Sequence, residues 1–178
     1  MIHAPERIVS ERLVLRKPEL GDARVILETY ARDEEVTRYL TFRPDQSNEE
    51  TLSFVQRALE CWENGTSFTW VIMLKQPDRL IGMIEARMDR WHANLGFVLA
   101  RQYWNKGYMA EAVKAVVDWA LAQPEIYRVW AVCDIENAAS ARVLEKAGMQ
   151  REGVLRRWAL LPNRSETPRD CFCYAKVK

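Results

Sequence analysis

Leu95-Gly96-Phe97-Val98-Leu99 and, a few residues on, Tyr103-Trp104-Asn105-Lys106-Gly107-Tyr108-Met109 form the stretch that decides the fold. The first segment is short and apolar, as a central strand is. The second turns into a helical pattern with Met109, Ala112, Val113, Val116, Val117 and Ala120 on one face, ending before Pro124. A strand that ends in a tight turn and opens a helix exposes unpaired amides, and the helix dipole adds positive potential there. Gly107 lacks a Cβ and lets an anion approach the backbone, and Lys106 adds a point charge. The stretch reads as a backbone cradle for phosphate. It is not a nucleotide P-loop, because no Gly-Lys-Ser/Thr follows four spaced residues.

A second block follows one strand later. Tyr127-Arg128-Val129-Trp130-Ala131-Val132 is the strand, and Asn137-Ala138-Ala139-Ser140 opens the next helix. Asn137 suits a helix cap, and Ser140, Val143, Leu144 and Ala147 form one stripe that Gly148 closes.

Outward from these blocks, Glu11-Arg12-Leu13-Val14-Leu15-Arg16 alternates as an opening strand, and Asp22 can cap a helix with Val25, Ile26 and Tyr30 on one face. Ser47-Asn48-Glu49-Glu50 is a capping box for a helix carrying Leu52, Val55, Leu59 and Trp62, ended by Gly65. Strands are predicted at 68–74, 80–86, 154–160 and 171–177. There is no internal repeat or linker, so the expectation is one α+β domain over 1–178.

The composition is that of an ordinary globular chain: 48% apolar, 29% charged, net charge +1. That balance argues against a nucleic-acid binder acting through a general basic field, although Arg142, Lys146, Arg151, Arg156 and Arg157 outnumber Glu145 and Glu152 locally. No apolar segment is long enough to span a bilayer, and residues 1–7 show no secretory pattern. Cys61, Cys133, Cys171 and Cys173 lack zinc spacing, and His3 and His92 are the only histidines. Reduced thiols, no metal and a cytoplasmic location are expected. A dehydrogenase is disfavoured, since no Gly-x-Gly-x-x-Gly follows an early strand.

The two blocks together closely resemble the GCN5-related N-acetyltransferase (GNAT) superfamily, and best its RimJ/RimL-type branch, which includes ribosomal-protein N-terminal acetyltransferases. The resemblance runs from Ser10-Glu11-Arg12-Leu13 to Arg169-Asp170, and its most specific part is Asn137-Ala138-Ala139-Ser140 with Val143-Leu144-Glu145-Lys146-Ala147-Gly148-Met149 and Glu152-Gly153. It implies a GNAT fold: a mixed, mostly antiparallel sheet flanked by helices, with a splayed strand pair that admits the acyl-CoA arm. It also implies acetyl-CoA as cosubstrate. The pyrophosphate would rest on amides of Asn105, Lys106, Gly107, Tyr108, Met109 and Ala110. The pantetheine arm would pair with Phe97, Val98 and Leu99. The superfamily's usual cradle is Gln/Arg-x-x-Gly-x-Gly/Ala; Trp104 and Met109 depart from it, and the larger Met109 is expected to narrow the turn.

Acetyl transfer to an amine needs loss of an amine proton, a donor for the oxyanion and a proton for the leaving thiolate. By family analogy a strand amide near Val98 is the oxyanion donor. Many relatives place a Tyr acid where this chain has Leu144; in the RimJ/RimL-type pattern Ser140 takes the place near the sulfur, with Asn137 positioning the pantetheine or the sulfur. On residue mechanics alone, Asn137 is a helix cap and Ser140 a first-turn residue. Relatives often carry a Glu base where Asn94 stands, so the base candidates are Glu85, His92, Asp134 or a water. Glu111 matches a common family position and reads as structural. Trp62, Trp70 and Trp91 are candidates for an aromatic acceptor wall.

The expected activity is direct acetyl transfer to a primary amine, either a protein N-terminal α-amine or a small molecule. The alternative is a catalytically silent CoA-binding sensor or scaffold. Nucleic acid enters only through a ribosomal or aminoacylated substrate, no membrane is involved, and apolar strands near the C-terminus leave room for a homodimer.

Overall fold

The computed structural model describes residues 2–178; Met1, the first residue of the segment searched for a leader, lies outside them. Among the described residues, eight strands form one sheet: β1 (Arg7–Val9), β2 (Leu13–Arg16), β3 (Ser67–Leu74), β4 (Arg79–Asp89), β5 (His92–Leu99), β6 (Arg128–Asp134), β7 (Gln150–Ala159) and β8 (Arg169–Val177). Their order across the sheet is β1-β2-β3-β4-β5-β6-β8-β7. All neighbours are antiparallel except β5 and β6. The helices are α1 (Asp22–Ile26), α2 (Glu34–Thr37), α3 (Asn48–Glu63), α4 (Tyr108–Ala122) and α5 (Ala138–Lys146). The mixed sheet with flanking helices is the α+β arrangement the sequence implies.

Residues opposite one another in a ladder share a face. Met83 with Val98, Glu85 with Gly96, and Arg87 with Asn94 therefore face one side. Ile26 of α1 and Phe54 of α3 border the same space, so these helices lie over that face. Phe68 and Trp70 point to the other face, where Trp119 of α4 meets both rings at 5.7 and 5.2 Å. The predicted α4 stripe is the buried one: Met109, Ala112, Val113, Val116, Val117 and Ala120.

Local chemistry sets the element ends. The Ser47 hydroxyl caps α3 by accepting from the Glu50 amide at 3.4 Å, while Glu50 reaches back to the amide of Gln46, one residue beyond the cap. Asp22 does not cap α1. Its carboxylate accepts from the Glu19 amide and from the Arg16 guanidinium at 2.8 and 2.6 Å. Beyond Ile26 the helix widens into one π turn, Leu27–Ala31, in which Tyr30 is buried, while Val25 of α1 is exposed.

Candidate active site

Parallel pairing of β5 with β6 runs only from His92–Arg128 to Asn94–Trp130. From Leu95 onward β5 stays paired to β4 alone, and the two strands diverge. This is the expected splay. Asn94 sits at its crotch: its Nδ2 donates to the Trp130 carbonyl at 3.4 Å, and its Oδ1 accepts from Arg87 at 2.9 Å. Ala100 N–H bonds the Ile81 carbonyl of the β4 side. Strand alternation then turns the Val98 amide toward β4 and the Phe97 and Leu99 amides toward the gap. The amides open to the gap near Val98 are thus those of its two neighbours. The Leu99 carbonyl at the gap is taken by Trp104 Nε1 at 2.7 Å.

A cleft of about 630 Å³ fills the splay and continues over the sheet. One part is bordered by Phe97 and Val98, by Val132 and Cys133 of β6, and by Asn137 and Ser140 of α5. The Asn137 Oδ1 caps α5 through the Ser140 amide at 3.1 Å, so the capping role and the place in the cleft hold together. Among the described residues the Ser140 hydroxyl has no hydrogen-bond partner of its own. The other part is bordered by Tyr30, by Tyr39 and Phe42 of the loop after α2, by Phe54 and Arg57 of α3, and by Glu85 and Arg87.

Glu85 lines the cleft, with Oε1 accepting from Ser67 Oγ at 2.5 Å and Oε2 paired to Arg87 at 2.6 Å. The other base candidates lie elsewhere. His92 opens β5 at the paired end, away from the cleft lining. Asp134 is fully buried and bound by Arg169 at 2.5 Å, and it accepts from the Glu136 amide. Burial pushes the Asp134 carboxyl up, but Arg169 and the Glu136 amide outweigh it and hold it below the usual carboxylate range.

The tryptophan wall is not there. Trp62 and Trp70 stack edge-to-face in the core, and Trp91 packs on Tyr127 at the β4–β5 turn. The cleft's aromatic side chains are Tyr30, Tyr39, Phe42, Phe54 and Phe97, of which Tyr39, Phe42 and Phe54 carry no sequence signal for a site.

The cradle follows β5 directly. Gly107 caps α4 with φ +81°, the left-handed region that Gly occupies without strain. The first α4 hydrogen bond runs from Glu111 N–H to the Gly107 carbonyl, leaving Tyr108, Met109 and Ala110 amides without helical acceptors. Asn105 and Lys106 are exposed. Met109 does not narrow the turn, since its side chain is 3% exposed and belongs to the core. Arg12, distant in sequence, completes the turn: it donates to the Lys106 carbonyl at 3.0 Å and its guanidinium lies 4.6 Å from the Tyr108 ring centre. Glu111 holds Arg12 in place through its backbone amide (2.8 Å) and Nε (2.7 Å), and it also accepts from Ser10. That is a structural role, as expected.

Glu111, like Asp134, is lowered: burial raises its carboxyl, but the Arg12 amide, Ser10 and the Arg12 guanidinium together prevail. Both groups are depressed in the folded state. The stability they lend is present above the unfolded carboxylate range, about pH 4, and is lost as pH falls below it through their folded values. Tm is therefore expected to hold from pH 7 to 5 and to drop below pH 4. Glu111→Gln should shrink that acid-side drop; an unchanged acid limb in the variant would remove Glu111 from the linkage.

Among the described residues, no group of three or more His, Cys, Asp or Glu is placed to hold a metal ion, and no helix is long and apolar enough to cross a membrane.

Residues 12–150 match the family model for the acetyltransferase (GNAT) domain. The uncharacterized N-acetyltransferase YoaA of Bacillus subtilis is 31% identical over 173 residues, 95% of each chain. Among solved structures, the Microcin C7 self-immunity acetyltransferase MccE, in complex with acetyl-CoA and AMP, superposes with a TM-score of 0.88 at 20% identity over 98% of both chains. The ribosomal L7/L12 α-N-protein acetyltransferase RimL, in complex with coenzyme A, gives 0.85 at 20% identity over 96% of both. These last two likenesses carry the fold. The family match and the full-length relative carry the conclusion: this chain belongs to the GNAT acetyltransferase family and is an acetyl-CoA-dependent acyltransferase.

Proposed function

We propose that the chain, acting as one catalytic unit over 1–178, transfers acetyl from acetyl-CoA directly to a primary amine, with a peptide N-terminus favoured over a small amine. The observation that carries this is the β5–β6 splay, which opens into a cleft with Ser140 and Asn137 on one wall and Glu85 on the floor. The arm of acetyl-CoA adds to the free edge of β5 at Phe97, Val98 and Leu99. Its pyrophosphate rests on the amides of Asn105, Lys106, Gly107, Tyr108, Met109 and Ala110.

The amine gives up a proton to Glu85, directly or through a water, and attacks the acetyl carbon. The Phe97 or Leu99 amide stabilises the oxyanion. As the C–S bond breaks, Ser140 donates to the departing sulfur and recovers its proton from solvent, while Asn137 fixes the turn that aims Ser140. The products are the acetylated amine and the CoA thiol. No covalent enzyme intermediate is needed. Burial, with the neighbouring Cys171, Asp134 and Glu145 adding to it, pushes the Cys133 thiol in the cleft wall up to about 12, so it stays protonated and is a poor nucleophile. The likeness to RimL, a ribosomal-protein α-N-acetyltransferase, supports a peptide acceptor, as does the continuation of the cleft beyond the splay to Tyr39, Phe42 and Phe54.

The test is thermal unfolding with saturating acetyl-CoA, and with ATP and NAD as controls. Ligand at a hundred times Kd adds about 2.7 kcal/mol, a rise of about 5–10 °C for this size. A rise specific to acetyl-CoA or CoA is expected. No rise at millimolar ligand would sink the reading. A rise without turnover of any amine would identify a silent CoA sensor instead.

A further inference from the structure

Tyr30 carries a hydroxyl that the fold leaves unsatisfied. The residue is 3% exposed and lines the cleft, yet its hydroxyl makes no hydrogen bond among the described residues. A desolvated, unpaired hydroxyl costs stability, and Phe would fill the same space without that cost. Tyr30 lies in the single π turn, a distortion often found at functional sites, and that turn packs against β4, the strand of Glu85.

The hydroxyl is a donor at any physiological pH. Burial, then the Asp22 and Asp45 charges, push its ionisation far above the ordinary tyrosine value. Asp22 is neutralised by Arg16. Asp45 is held by the Thr51 hydroxyl at 2.6 Å and pairs with no cation among the described residues. Glu85 lies on the same cleft. Counting every charged side chain on the cleft, Asp45, Glu50 and Glu85 face Arg57 and Arg87, which leaves a net negative charge that disfavours a carboxylate and is neutral toward a carbonyl.

We infer that Tyr30 is a specificity residue for the acceptor: its hydroxyl donates to a neutral carbonyl oxygen beside the reacting amine, so the cleft selects aminoacyl amides and peptide N-termini over free amino acids and alkyl amines. This rests on the acetyl-transfer reading above and gives it an acceptor chemistry.

The experiment compares L-phenylalaninamide, L-phenylalanine and phenethylamine as acceptors for wild type and Tyr30→Phe. Wild type is expected to favour the amide at least tenfold in kcat/KM over each of the others. In Tyr30→Phe the advantage over phenethylamine disappears through a higher KM for the amide. The kcat/KM for phenethylamine and the Kd for acetyl-CoA stay the same, and Tm stays equal or rises. A wild type without preference, or a variant that keeps it, or one that loses phenethylamine turnover equally, overturns the inference. If acetyl-CoA binds but none of the three amines is acetylated, the acetyl-transfer reading fails separately. Calorimetric titration of phenylalaninamide into the CoA complex then decides: binding that Tyr30→Phe abolishes sustains the role of the hydroxyl, and no binding to wild type overturns it.

Discussion

Ser140→Ala is expected to lower kcat about 100-fold, the lower end of what a positioned proton donor contributes, while the Kd for acetyl-CoA changes less than about twofold. The geometry explains why the two readouts separate. The Ser140 amide is engaged with Asn137 Oδ1, so the α5 cap survives the substitution. The hydroxyl itself supports nothing in the fold, and only a group that needs its proton would miss it. Glu85→Gln should act at the other reacting atom, the amine. Gln retains an oxygen to accept from Ser67 Oγ but loses the charge paired to Arg87. If the two side chains serve different proton transfers, the double variant falls by roughly the product of the single effects. Single-turnover rates with Ser140→Ala equal to wild type would remove Ser140 from the chemistry. A double variant no worse than Glu85→Gln alone would place the two side chains in one coupled step instead of two separate proton transfers.

Asp134→Ala should be the most damaging change to stability. The side chain is fully buried, and Arg169, 22% exposed, is held to it at 2.5 and 3.2 Å. Breaking such a pair costs about 3 kcal/mol, which lowers Tm by about 6–12 °C at this chain length. The damage would not stay local. The Asp134 carboxylate also accepts from the Glu136 amide, and its backbone carbonyl from Asn137 N–H, so it builds the turn that starts α5. Arg169 pairs onward to Glu136, which Arg164 joins, and Arg164 lies over Tyr39 at 5.2 Å. Asn163 beside it donates to the carbonyls of Thr37 and Phe42. The β7–β8 connection thus ties the loop over the cleft to the helix bearing Ser140. Differential scanning calorimetry checks the stability loss. Asp134→Asn, which keeps the acceptor oxygen, should recover part of it; equal losses in both variants would assign the effect to charge alone.

What the sequence made legible was local. The α4 stripe, the Ser47 cap, Gly65, Gly107 and the central strand β5 all follow from periodicity and turn chemistry within a few residues. The splay and the cradle came through resemblance, because backbone groups carry them and a side-chain pattern records them only indirectly. What escaped was long-range or one residue out of phase. Arg12 reaches Lys106 and Glu111 across most of the chain, and no spacing announces that. Arg7–Val9 is too short to show alternation. Val25 and Tyr30, expected on one face, part company because positions five residues apart on a helix are separated by about 140°, and it is Ile26 that shares the buried side with Tyr30. Tryptophan composition suggested a groove wall, but Trp62 and Trp70 are worth more as core volume than as a binding surface.

The gap between β5 and β6 bears on how the protein behaves among other chains. A bare strand edge is normally an invitation to aggregation, since its unpaired amides and carbonyls will accept any extended segment. Here the bare edge lies inside a notch: β4 occupies its other side, β6 and α5 stand across from it, and the strands meet at Asn94. The edge of a second folded sheet, flanked by its own neighbours, is too broad to enter. A single thin arm, one strand wide, is not. The fold keeps open the hydrogen bonds it needs for its cosubstrate while withholding them from the crowded proteome around it, and a lesion that loosened α5 or β6 would turn a binding edge into a nucleation site for misassembly.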